Sequence, residues 1–546
     1  MVRRPYTRPV NTTQRWTLLA AILGSSIVFL DATIVNIALP IIGNQLDASI
    51  VGRFEGQTYV VSGYIATLAA LLILAGALAD FYGRRRVFAI GLVGFGVTSV
   101  LCGIVTNMEL LVVARILQGA AGALLVPGSL SIITATFDGP ARGRAFGIWA
   151  AATSATTTLG PPIGGILVEA VSWRAAFLIN VPLVLIALFA TWRYMPESRD
   201  EDASGRFDWL GAAVAAVAVG GLAFGAIRGQ DKQWQDSIAY VALVVGAVAL
   251  ILFPILMTRR RDPLVPLSLF TNRQFATINL STLLIYGALY TTFTFQSLFL
   301  QGVLGYSPLG SAIVGLPVGI LLTILSTRAG SLAGRIGARP FLVVGPLLMA
   351  AGLGWFARIP SSSRPWAAAI DRPDQLVPPV DVLFDVLPSI LLFGVGISLV
   401  VAPLTSTLMS SVPVNRAGIA SAINNAISRV GYPLLAAVIF IVVSGSFYAT
   451  LGDRVGIDPS SPELRAQVQP LNPPTDVPPD VEAAAKEAST DAFHLAALVG
   501  AGLLVLGAVV NWFGLAETRI TEPGARREQP HAPAAAGSDA RAEGGE

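Results

Sequence analysis

Gly76-Ala-Leu-Ala-Asp80-Phe-Tyr-Gly83-Arg84-Arg85-Arg86 joins two long apolar runs. A second copy of its frame, Gly330-Ser-Leu-Ala-Gly334-Arg-Ile-Gly337-Ala-Arg339-Pro340, joins two others far down the chain. Gly, Leu-Ala, Gly and a following basic residue recur at equal spacing. Two Gly/Arg-rich loops can match by chance. Between apolar runs of membrane length, the match predicts two halves of one topology, related as parallel repeats about an axis along the membrane normal.

Composition sets the solvent. The chain has 546 residues, 54% hydrophobic and 13% charged, which no soluble domain of that size shows. At about 20 apolar residues per crossing, fourteen spans are expected, at 16–40, 57–80, 87–106, 109–136, 144–170, 175–193, 208–228, 237–257, 275–303, 309–333, 341–358, 385–409, 418–443 and 491–513. The expected division is a tail (1–15), a first six-helix bundle (16–195), a linker with two inserted helices (196–274), a second six-helix bundle (275–516) and a disordered tail (517–546). The fold class is an all-α membrane protein. Residues 444–490 read as a long external loop, extended or weakly structured, with a short helix over Val481–Lys486. The first helix lacks a small-residue cleavage pattern and reads as uncleaved.

Arginine placement sets the expected orientation. With both termini cytoplasmic, the inner loops collect Arg84, Arg85, Arg86, Arg142, Arg144, Arg259, Arg260, Arg261, Arg335 and Arg339, and the outer loops hold few. The lone Cys102 and two histidines exclude disulfides and leave too few ligands for a metal centre. No phosphate-cradling loop, catalytic triad or nucleic-acid signature is present, so no ATP-driven pump, no enzyme and no cofactor is expected. The energy source for any transport is then an ion gradient.

Asp31 stands near the middle of the first run, in Leu30-Asp-Ala-Thr-Ile-Val-Asn36-Ile-Ala-Leu-Pro40. A carboxylate at bilayer depth costs roughly 2.5–3.5 kcal/mol on insertion scales. Such a group marks an ion or substrate path, or is a buried Asp bonded to a neighbouring helix.

With these residues in view, the chain resembles the major facilitator superfamily, in its fourteen-helix drug:proton antiporter branch. Residues 76–86 look like the superfamily's signature loop. Arg115-Ile-Leu-Gln118-Gly119 looks like its fourth-helix motif, and Gly160-Pro161-Pro162-Ile-Gly164-Gly165 like the antiporter motif. Trp173-Arg174, Phe177 and Asn180-Val-Pro182 complete the pattern together with Asp31, Thr33 and Asn36. Thr156 departs from the expected Gly, Gly334 replaces the acid of the first loop, and Tyr59 stands where Trp is usual.

The resemblance implies roles. Asp31 and Arg115 would couple protons, with Arg115 contacting Gln118 and helix one; the alternative is an arginine snorkelling to outer headgroups. Gly76, Asp80, Gly83, Arg84 and Arg85 would gate, with Asp80 paired to Arg84 or Arg85 and facing a helix of the other half that begins near Ala417; the alternative is a loop folded by Gly83 whose arginines anchor topology. Gly160, Pro161, Pro162, Gly164 and Gly165 would form a hinge in contact with span thirteen, or serve as ordinary glycine packing. Asn36, Tyr64, Gln118, Tyr286, Tyr290, Phe293, Gln296 and Arg429 suit a broad apolar cavity, and the same spacing suits helix packing or lipid contact.

The expected function is export of amphipathic, lipophilic compounds, cationic ones foremost because Asp31 attracts cations, in exchange for protons. The protein would act as a monomer in the plasma membrane. The rivals are export of one natural product or lipid, and a non-transporting scaffold or sensor.

Overall fold

The computed structural model describes residues 11–46, 53–199, 207–231, 234–369, 372–455, 468, 470–471 and 478–515. The first bundle holds α1 (Thr12–Gln45), α2 (Arg53–Tyr82), α3 (Arg84–Ile104), α4 (Met108–Ala123), α5 (Val126–Thr136), α6 (Gly139–Ala170), the short α7 (Ala175–Leu178) and α8 (Asn180–Tyr194). Two inserted helices follow, α9 (Trp209–Asp231) and α10 (Ser237–Arg259). A short α11 (Ser268–Thr271) leads into the second bundle: α12 (Arg273–Leu298), α13 (Pro308–Ile336), α14 (Arg339–Phe356), α15 (Leu387–Ser410), α16 (Ala417–Val455) and α17 (Pro479–Gly514).

Local chemistry starts these helices. Asn11 and Gln14 form a reciprocal box at the head of α1, the Asn11 side chain accepting from Gln14 N at 2.7 Å and the Gln14 side chain accepting from Asn11 N at 3.2 Å. Asn107, Asp236, Asn272 and Ser307 cap α4, α10, α12 and α13 in the same sense, each accepting from a backbone N–H of the first turn. Pro127 explains why the expected single span 109–136 is two helices: it has no N–H to give to Ala123, and the ladder breaks at Leu124–Leu125.

Among the described residues, thirteen helical stretches are long and apolar enough to cross a bilayer. The Thr- and Gly-rich α6 is a further long helix in the place of the expected fifth span. The long stretches thus stand where the fourteen spans are expected, most ends being shifted by a few residues and the end of α16 and the start of α17 by twelve. The external loop needs correction: α16 runs on to Val455 and α17 begins at Pro479, so Val481–Lys486 is the first part of α17 and no separate helix. Alanine-rich sequence favours that extension, and Asp480 and Glu482 in the first turn suit the helix dipole. The expected disordered tail 517–546 lies outside the described residues.

The two bundles meet along two seams. α6 packs on α13, and α2 packs on α16. The inserted α9 packs on both α2 and α16, with α10 behind it. The repeat read from the sequence recurs in the backbone. Gly83 and Gly337, equivalent in the two copies, both sit at positive φ, 109° and 93°, where a Cβ is disfavoured. Gly76 and Gly330, also equivalent, let α2 and α13 approach the first turns of α16 and α6. A Cβ on Gly76 would come within 2.5 Å of Gly418 O, and one on Gly330 within 2.7 Å of Gly143 O.

Candidate functional site

Asp31 and Arg115 lie in different helices, α1 and α4, and form a buried ion pair, 0% and 1% exposed. Further hydrogen bonds surround the pair. The second oxygen of Asp31 accepts from Gln118 Nε2 at 3.1 Å and from Asn180 Nδ2 at 3.0 Å. Arg115 donates to Val60 O at 3.0 Å and to Gln118 Oε1 at 2.7 Å. Ser99 accepts from Gln118 at 2.9 Å and from Asn180 at 3.3 Å. The Tyr64 ring lies 4.0 Å below the guanidinium, with Phe177 on a further side at 5.7 Å. Charges removed from water need this degree of pairing and hydrogen bonding. Arg115 does not snorkel: it is enclosed, and helices α1, α2, α3, α4 and α8 all contribute to the enclosure.

Two residues expected to line the substrate cavity belong here instead. Tyr64 and Gln118 are buried in this network, because a guanidinium at this depth takes the nearest acceptor and the nearest ring. Asn180 belongs to a sequence motif that names no partner for it, and Ser99 lies outside every motif. Their signal is a polar side chain in an otherwise apolar helix.

A second constellation closes one end of the bundle. Asp80, at the end of α2, accepts from Arg84 Nε at 3.0 Å and Nη2 at 2.8 Å. It also accepts from the backbone N–H groups of Gly418 and Ile419 at 3.1 and 2.8 Å. The latter belong to the first turn of α16, where unsatisfied N–H groups and the dipole favour an anion. Arg84 reaches on to Val414 O. Arg85 is no partner of Asp80. It donates to Trp192 O at 2.8 Å, and its backbone N–H donates to Glu197 at 3.0 Å, which leaves Arg84 alone on the inward side of the turn. Glu197, unremarked in the sequence, also fills the space a Cβ on Gly83 would need.

On the other seam the first turns of α6 lie on α13, with no carboxylate bridging them among the described residues. Cβ atoms built on Gly143 and Gly147 would meet Gly330 O at 2.8 Å and Thr327 Cα at 2.6 Å. Gly334, the counterpart of Asp80, has no side chain to offer. Further along, Gly319 meets Thr158, and Gly315, about one turn beyond, has nothing within 4 Å.

The expected hinge contact is corrected. Gly160 abuts Thr33, and Gly164 lies against Ile34, with its Cβ position 3.2 Å from Ile34 Cγ2. Both partners are on α1, within the first bundle. The inter-bundle partner of α6 is α13, whereas span thirteen, α16, packs on α2 and α5. α6 is helical without a break through this stretch, and Pro162 is exposed. Asn36, Pro161 and Gly165 are helix positions whose surroundings lie outside the described residues.

Between the bundles stand partly exposed groups. Arg429 of α16 faces the Phe29 ring of α1 at 6.0 Å and lies within electrostatic range of Tyr64 and Tyr290. Tyr286 and Tyr290 of α12 adjoin each other, centroids 6.1 Å apart. Phe293, half-buried, packs edge-on against Phe393 of the same bundle, and Gln296 is buried. An apolar groove of about 520 Å³ lies elsewhere, between α9 and α10, lined by Ala216, Val217, Phe224, Ile238 and Val241 among others. Its lining holds no polar side chain.

A profile described as Major Facilitator Superfamily matches residues 21–436. The chain is 34% identical to the multidrug resistance protein Stp of Mycobacterium tuberculosis over 463 residues, 84% of this chain and 82% of that one. It is 31% identical to the tetracenomycin C resistance and export protein of Streptomyces glaucescens over 500 residues, 90% of this chain and 89% of that one. Among solved structures, the proton:xylose symporter XylE aligns with a TM-score of 0.56 at 15% identity, over 92% of this chain and 96% of that one. That last likeness is one of fold.

Proposed function

Since the chain belongs to the major facilitator superfamily, we propose that it is a multi-pass exporter of amphipathic drugs, antibiotics among them, driven by exchange for protons across the plasma membrane. The relatives named for drug resistance and export support the first part. The observation that carries the coupling is the sealed Asp31–Arg115 pair.

The arginine-rich face is read as cytoplasmic, following the positive-inside rule. The conformation is then shut toward the cytoplasm, by Asp80 on α16 and by α6 on α13. A proton arriving from outside neutralises Asp31 and leaves the Arg115 guanidinium with no carboxylate among the described residues. An uncompensated charge at this depth is costly, so α1, α4 and α8 repack, and the bundles, residues 16–195 and 275–516, rock to face inward. There the proton leaves, Asp31 and Arg115 pair again, and cargo binds for export. The protein does this as a monomer and without a catalytic centre. The expected preference for cations loses its basis, since it rested on an open carboxylate and both Asp31 oxygens are occupied.

The test is Asp31→Asn in proteoliposomes. Asparagine keeps the shape and two hydrogen bonds but exchanges no proton in this range. Dye efflux driven by a pH gradient is expected to vanish, while exchange without a gradient persists. Undiminished pH-driven efflux would remove Asp31 from the coupling step.

A further inference from the structure

Arg429 forms no ion pair with a carboxylate among the described residues, and it reaches the Asp31–Arg115 network only through the field it exerts at Tyr64. It stands twelve residues into α16, about 18 Å from the helix start at the 1.5 Å rise per residue, which puts it at bilayer depth. Residues one turn earlier do not neutralise it. Asn425 donates to Ser421 O at 2.9 Å, and Ser428 donates to Asn425 O at 3.0 Å. Asn424 faces the second bundle and donates to Asn279 and Thr282. What Arg429 meets across the cleft is an aromatic ring, Phe29.

The charges of the region therefore sum unevenly. Asp31 and Arg115 cancel and are enclosed. Among the described residues Arg429 is left as a partly exposed charge facing the first bundle, and it is positive. A guanidinium held at depth without an anion is a vacant half of an ion pair. Its planar fork matches a carboxylate or sulfonate by two parallel hydrogen bonds, a fit an ammonium does not offer.

We propose that Arg429 is a specificity-determining residue of the transport cleft and receives an acidic group of the cargo, a carboxylate or sulfonate on an otherwise apolar molecule. The apolar body lies against Phe29 and Tyr290. This deepens the export reading, and rests on it for taking the cleft as the cargo's path. An inside-negative membrane potential favours outward movement of such a cargo, so the preference suits an exporter.

The experiment uses three probes with one fluorophore and three heads: pyrenebutyrate, pyrenebutanol and pyrenebutyl-trimethylammonium. Binding to the purified full chain in detergent is read by fluorescence anisotropy, with no gradient present. The wild type is expected to bind the carboxylate about tenfold more tightly than the ammonium, a difference of one decade in Kd. Arg429→Gln should abolish that preference and leave the alcohol within about twofold, whereas Arg429→Lys should keep a part of it, as a point charge without the fork. Tighter binding of the ammonium by the wild type would overturn the proposal. So would an equal loss for all three heads in Arg429→Gln, which is the mark of a structural role. Since binding is read without protons moving, failure of Asp31→Asn to stop pH-driven efflux would refute the coupling scheme and leave this result standing.

Discussion

Asp80 accepts from two nitrogens of a buried arginine and two backbone N–H groups of another bundle. Removing its charge leaves Arg84 buried without a carboxylate, a loss of roughly 3 kcal/mol at the low end for a broken buried pair. Asp80→Asn is thus expected to shift the balance toward the state open at the arginine-rich face by on the order of a hundredfold. The readout is a maleimide-labelling rate at Thr327→Cys, under α6, in a Cys102→Ser background. An unchanged rate would show that the pair does not hold that face shut. Asp80 facing α16 near Ala417 was legible through the resemblance, because the frame of residues 76–86 carries it. The division of labour between Arg84 and Arg85 was not. Adjacent arginines look alike in sequence, and the choice is made by Glu197 and Trp192, more than a hundred positions away. Asn180 and Ser99 were hidden for the same reason: a polar side chain reports that it needs a partner, never which one.

At the scale of the element, α6 carries two glycine stripes with opposite duties. Gly143 and Gly147 meet the other bundle, and Gly160 and Gly164 meet α1 of their own. Large side chains on the two stripes should therefore fail differently. Gly147→Leu drives bulk into Thr327 and should unseat α13, raising labelling at the arginine-rich end while the melting temperature of the detergent-solubilised protein stays near the wild-type value. Gly164→Leu overpacks the first bundle, at a cost of about 1–3 kcal/mol, and should lower the melting temperature. If the two variants exchanged these phenotypes, the assignment of the stripes would be reversed. The helix itself was readable from its apolar length and its Gly-Pro pair. The direction each glycine faces was not, since the 3.6-residue period locates a face and leaves its neighbour unnamed.

At the scale of the whole molecule, arginine asymmetry and the repeat prescribe one orientation. A reporter fused after Ile336 should read cytoplasmic, and one inserted at Ser362, between α14 and α15, should read external. The converse at either site would invert the transport scheme. What no count of spans foretold is where the inserted pair sits. α9 lies over the seam between α2 and α16, and Arg228 at its end donates to Tyr59 of α2 and pairs with Asp236 at 2.6 Å. The seam between α6 and α13 keeps Ile166, Ile320 and Ile324 exposed on its flanks. The interface of the two bundles is thus covered by a third helix on one flank and left bare, with an apolar margin, on the other.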